Sequence, residues 1–96
     1  MSRIEGVTVL IDMPIWPAHD TLWSHLVSDE SLDELHSFAA QVELPARSFD
    51  LDHYDVPEAR HAELVAAGAQ SVSIRQLVER LRDSGLRVTQ KERRRV

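Results

Sequence analysis

The stretch Val7-Thr8-Val9-Leu10-Ile11 constrains the fold more than any other part of the chain. It is rich in β-branched side chains, almost wholly apolar, and far too short to cross a bilayer. A run like this, without polar alternation, suits a strand covered on both faces at the centre of a sheet. It ends in Asp12. Pro14 and Pro17 follow, so the ladder should stop there and give way to an irregular loop.

Most of the remaining chain carries helical spacing. Residues 20–27 read as a short helix with Leu22 and Leu26 on one side. Ser31-Leu32-Asp33-Glu34 reads as a capping box. It opens a helix bearing Leu32, Leu35, Phe38, Ala39 and Val42, which Pro45 closes. Residues 46–51 suit a short second strand. Pro57 fits the first turn of a further helix that Gly68 ends. Ser71-Val72-Ser73 reads as a third strand, and Ser73 with Gln76 as another capping box. The stripe Ile74, Leu77, Val78, Leu81 continues that helix to Gly85, and residues 86–88 suit a last short strand.

Strands separated by helices favour parallel pairing, because parallel strands need crossovers. The expected fold is therefore a small three-layer α/β domain over residues 1–89, with a short, mainly parallel sheet flanked by helices. In such sheets ligands sit beyond the carboxyl ends of the strands. That edge would gather Asp12 and the Trp16–His19 loop, then Asp52, His53 and Asp55, then Ser73 and Arg75.

Composition narrows the chemistry. With no cysteine among 96 residues, thiolate metal sites, thiol nucleophiles and a disulfide scaffold are excluded. The start of the chain lacks a signal-peptide pattern, and a cytoplasmic protein is expected. The net charge is −5, and the segment Lys91-Glu92-Arg93-Arg94-Arg95 is basic, so the body is more acidic than the total indicates. An acidic body disfavours nucleic acid as a partner, since phosphate neutralisation supplies most of that affinity. Residues 90–96 read as a basic, disordered, solvated tail. Neither a P-loop nor a Gly-x-Ser-x-Gly elbow occurs, and three glycines are too few for a dinucleotide fingerprint.

Imidazoles, carboxylates and amphipathic rings cluster along the chain. Asp12, His19 and His53, with Asp52 or Asp55, offer a mixed nitrogen and oxygen set for a divalent metal ion. Asp12, His19, His53 and Tyr54 are the catalytic candidates. Trp16 and Trp23 could line a ligand pocket, and Ser73 with Arg75 could hold an anionic group at a helix start. Each has a structural alternative. Aspartates cap loops, histidines donate to carbonyls, tryptophans anchor cores, and Ser73 is explained by capping alone. His25 and His36 read as helix-borne core residues that could orient other groups from behind, and His61 as a surface residue.

The motifs Val9-Leu10-Ile11-Asp12, Trp16-Pro17-Ala18-His19, Trp23-Ser24-His25-Leu26, Glu34-Leu35-His36 and Asp52-His53-Tyr54-Asp55-Val56 occur in this order. In this the chain resembles a small bacterial and phage family known only as a domain of unknown function, family 4031. The resemblance covers residues 7–86 and leaves the basic tail outside. Asp20 stands where the family pattern leads one to expect glycine. The resemblance implies a bacterial or phage origin and a shared site, but no reaction.

The expected function is a metal-assisted hydrolase of a phosphorylated or nucleotide-like substrate, with an anionic small molecule as partner and no membrane. Two alternatives stand beside it. One is a non-catalytic module binding a small ligand or protein, its histidines structural. The other is a nucleic-acid-associated accessory protein using the tail.

Overall fold

A computed structural model describes residues 8–87, so the basic tail expected at 90–96 lies outside the described residues. The elements run β1 (Val9–Ile11), β2 (Trp16–Ala18), β3 (Thr21–Ser28), α1 (Leu32–Gln41), β4 (Phe49–Asp50), β5 (His53–Pro57), α2 (His61–Ala66), β6 (Gln70–Ser71) and α3 (Ile74–Ser84). Single 3-10 turns at Ala46–Ser48 and Glu58–Arg60 lead into β4 and α2.

The strands form one sheet in the order β4-β5-β3-β1-β6, with β2 also paired to β3. β1 lies between β3 and β6, and its three residues are buried, as a central strand requires. Its side chains divide between two cores. Val9 and Ile11 join Leu26, Tyr54 and Val56 under α1 and α2, where Leu35, Ala39 and Leu64 meet them. Leu10 joins Val27 beneath Leu77 and Leu81 of α3. Helices thus cover both faces of the sheet. Each buried leucine or isoleucine contributes about 1.5–3 kcal/mol.

The sheet is mostly antiparallel, which corrects the expectation of a mainly parallel one. β1 pairs with β3, β2 with β3, β3 with β5 and β4 with β5 in antiparallel fashion, and β1 with β6 in parallel. The cause is local. Residues 20–27 are not a helix but most of β3, the longest strand, which lies between β1 and β5. Ala18 pairs with Thr21, so His19 and Asp20 alone make the β2–β3 turn. Both have positive φ, 50° and 64°. That is the mirror-image two-residue turn that matches the twist of a hairpin. Aspartate tolerates this conformation better than most residues, so Asp20 can stand where glycine is expected. Pro17 is accommodated on the short strand β2, whose loop-like reading from its prolines was incorrect.

Other local signals read from the sequence are present. Ser73 Oγ accepts the Gln76 amide at 3.0 Å while Gln76 Oε1 accepts the Ser73 amide at 2.9 Å. Gly85 ends α3 at φ 82°, and Gly68 follows α2 at φ 125°. The Ser31 box is half formed. Ser31 Oγ accepts the Glu34 amide at 3.0 Å, but the Glu34 carboxylate turns to Ser28 Oγ at 2.5 Å and to Thr8. The second strand begins later than expected, as β4, then turns at Leu51 and Asp52 into β5. Leu86 and Arg87 form no strand, and Val88 lies outside the described residues. Among the described residues, no helix is long and apolar enough to cross a membrane.

Candidate functional site

Strand geometry builds the site. Successive residues of a strand face opposite sides, and directly paired residues share a side. His25 of β3 pairs with Asp55 of β5, so their side chains lie together. His53 is two residues before Asp55 and shares its face. Leu26, Tyr54 and Val56 take the other face, in the core beneath α1. The two imidazoles meet edge to face, with ring centroids 4.9 Å apart.

Each imidazole is held from behind by a carboxylate. Asp12, fully buried just past β1, accepts the His25 backbone amide on Oδ1 at 2.6 Å and the His25 Nδ1–H on Oδ2 at 2.9 Å. Asp12 is itself fixed, because its amide donates to the His25 carbonyl at 3.2 Å and its carbonyl accepts from His61 Nε2 at 3.1 Å. His53 Nδ1 bonds Asp52 Oδ1 at 2.8 Å, and His53 Nε2 lies 3.1 Å from Asp55 Oδ1. Burial works against a charge on His53. The Asp52 hydrogen bond and the charges of Asp55, Asp52 and Asp50 outweigh it and raise its pKa above the ordinary 6.5.

With Nδ1 engaged, the nitrogen each ring offers a ligand is Nε2. Ligand atoms of His25, His53 and Asp55 lie within 4.8 Å of one another. Ligands bonded to one tetrahedral metal ion at about 2.1 Å sit roughly 3.4 Å apart. The His53–Asp55 separation of 3.1 Å is near this, and an inward shift of His25 would complete three ligands. Imidazole ligands held by carboxylates behind them are the usual arrangement around bound metal.

Two pockets adjoin the group, and His25 lines both. The larger chamber, about 390 Å³, is lined by Trp16, His19, Trp23 and Arg47, with His25 and Asp55. Trp16 is exposed and packs edge-on to His25 at 5.2 Å, while Trp23 Nε1 donates to the Ala18 carbonyl at 2.9 Å. The smaller chamber, about 190 Å³, lies toward α3. Its walls include His25, Asp52, His53, Leu77, Leu81 and Arg87.

The sequence-derived candidates divide accordingly. His53 and Asp55 belong to the ligand group, while Asp12 and Asp52 stand behind the imidazoles. His19 lines the larger chamber without joining the group, and Trp16 and Trp23 line it as well. Tyr54 is not at the site. It is buried on the opposite face, where its hydroxyl and His36 Nδ1 are hydrogen-bonded at 2.7 Å and burial raises its pKa. Ser73 and Arg75 line neither chamber. Ser73 caps α3, and Arg75 is exposed and paired with Glu79 at 3.4 Å. His25, read as a helix-borne core residue, is the central one. A strand reading of Trp23-Ser24-His25 would have found it. Arg47 was missed, and no local signal singled it out. His61 is not a bystander but holds the Asp12 carbonyl.

Comparison with curated proteins and with solved structures finds no match for the chain. The sequence profile of a family described as a protein of unknown function (DUF4031) matches residues 9–84, a span that includes both imidazoles, their carboxylates and the larger chamber. The chain belongs to this family.

Proposed function

We propose that this protein is a cytoplasmic hydrolase of a phosphorylated substrate, working through a divalent metal ion held by His25, His53 and Asp55. The observation that carries this reading is the convergence of the three side chains, with each imidazole anchored by its own aspartate. Two nitrogens and one oxygen suit zinc, manganese or iron better than calcium or magnesium, which prefer all-oxygen shells. Three protein ligands leave a coordination position for water or substrate, as catalytic sites require. Such a metal lowers the pKa of bound water and stabilises charge developing on a phosphoryl oxygen. This chain's part is to fix the two rings, to present Nε2 of each, and to line the approach with Trp16, His19 and Arg47.

Untagged protein, analysed for metal and then titrated with zinc and manganese after chelation, tests the reading. One equivalent should bind, and His25→Ala and His53→Ala should each abolish tight binding while the folded circular-dichroism spectrum persists. Hydrolysis of bis-p-nitrophenyl phosphate should follow metal loading. If the wild type binds no metal, or if both substitutions only lower stability, the imidazoles are structural and the chain is a binding module.

A further inference from the structure

The arginines of the described residues fall into two sets. Arg60 pairs with Glu63, Arg75 with Glu79, Arg80 with Asp29 and Arg82 with Asp83. Arg47 and Arg87 are the two without a carboxylate partner among the described residues. These same two line the two pockets, Arg47 the larger beside His25 and Asp55, and Arg87 the smaller beside His25 and His53. In a chain so rich in acids, the default for an exposed guanidinium is a neighbouring carboxylate. Two left unpaired in two pockets that meet at His25 suit anions brought by a ligand.

The chambers differ in their other walls. The larger holds Trp16, exposed at 46 %, and Trp23. An indole left open in a concave wall offers a stacking surface, and stacking on an aromatic side chain stabilises a nucleobase by about 1–3 kcal/mol. The smaller has Val27, Leu77 and Leu81 for apolar walls, Asp52 behind the His53 ring, and Arg87 as its cation. It can take a second anion on an apolar spacer, but its only rings are the His25 and His53 imidazoles, and it has no indole.

We infer that the two pockets together recognise a nucleotide with two separated anionic groups: the base against Trp16, one phosphate at Arg47, and a second anion, past the shared His25, at Arg87. This deepens the hydrolase reading and rests on it for the reaction. The bond cleaved then belongs to an internal phosphodiester and not to a terminal phosphate. Water adds to phosphorus, the bond from phosphorus to the leaving alcohol oxygen breaks, and the proton released by the water ends on that alcohol. The products are a phosphomonoester and an alcohol. No oxidant or further reactant is needed.

Binding tests this apart from catalysis. A nucleoside 3′,5′-bisphosphate, the matching 5′-monophosphate and ribose 5-phosphate are titrated by calorimetry and by tryptophan fluorescence, once with zinc and once in EDTA. The bisphosphate should bind about tenfold or more tighter than the monophosphate, as one additional charge-assisted contact allows. Arg87→Ala should remove that advantage and leave monophosphate binding unchanged. Arg47→Ala should weaken both ligands about tenfold. Trp16→Leu should bring the monophosphate down to the affinity of ribose 5-phosphate. Both arginines are exposed, so these variants should melt with the wild type. Because the comparison between ligands is made in both metal states, it survives even if no metal binds and the hydrolase reading fails. Equal affinity for bisphosphate and monophosphate in both states overturns the inference. So does an advantage that persists in Arg87→Ala, or ribose 5-phosphate binding as tightly as the nucleotide.

Discussion

Asp12 holds His25 twice with one carboxylate, taking the backbone amide at 2.6 Å and the ring Nδ1–H at 2.9 Å. The first contact fixes where the strand lies against the end of β1, and the second fixes how the ring is turned. Asp12→Asn separates the two. An amide oxygen can still accept the backbone N–H, but its NH2 group would meet Nδ1 as a second donor and drive the ring proton to Nε2. Metal affinity should then fall about 10–100-fold, as for other losses of a carboxylate behind a ligating histidine. Calorimetric titration with zinc measures this, and an unchanged affinity would remove Asp12 from the site.

His53 gives the metal-free protein a pH dependence of definite sign. Its pKa in the folded state is raised above 6.5, its ordinary value. Below that ordinary value both folded and unfolded chains carry the charge, and the pairing with Asp52 and Asp55 stabilises the fold in full. The contribution declines as pH rises past 6.5 and is gone once pH passes the raised folded value. Urea midpoints in EDTA should therefore show the wild type losing ground to His53→Gln from about pH 6 upward. A gap that widens with pH would contradict the charge state assigned to this ring.

Tyr54→Phe separates position in sequence from position in space. The substitution removes the hydrogen bond to His36 and should cost about 0.5–1.5 kcal/mol in stability. Metal binding and turnover should stay within twofold of wild type. A large loss of turnover without loss of stability would return Tyr54 to the catalytic candidates.

Sequence periodicity found what is local. The burial of Val9 to Ile11, the capping of α3 by Ser73 and Gln76, and the left-handed stop at Gly85 each depend on a few adjacent residues. It misread β3 because Leu22 and Leu26 are four apart, and that spacing fits two strand repeats as well as about one helical turn. With the strand went His25. Tyr54 was grouped with His53 and Asp55 because they are neighbours in the chain, yet adjacent strand residues face opposite ways. Arg47 comes to the larger pocket from a 3-10 turn, and no periodic signal marks it.

The β2–β3 turn offers a test of the hairpin itself. Asp20 sits at φ 64°, where glycine carries no Cβ penalty. Asp20→Gly should raise stability by about 0.5–1 kcal/mol, or roughly 2–8 °C in Tm. Asp20→Val should lower it by at least as much. Were the two substitutions indistinguishable in a thermal melt, the turn would not hold this conformation in solution.

The pairing of His25 with Asp55 makes strand alignment a question of parity. If β3 slipped one residue along β5, every side chain would change sides relative to its partner. Leu26 and Val56 could no longer lie together in the core while His25 and Asp55 lay together outside it. A β3–β5 pair misaligned by one residue would therefore lose its core contacts and the His25–Asp55 pair in the same step. A slip of two residues would restore the faces but set His25 opposite a residue other than Asp55, so the ion binding proposed above would test the exact register where a melt tests only the faces.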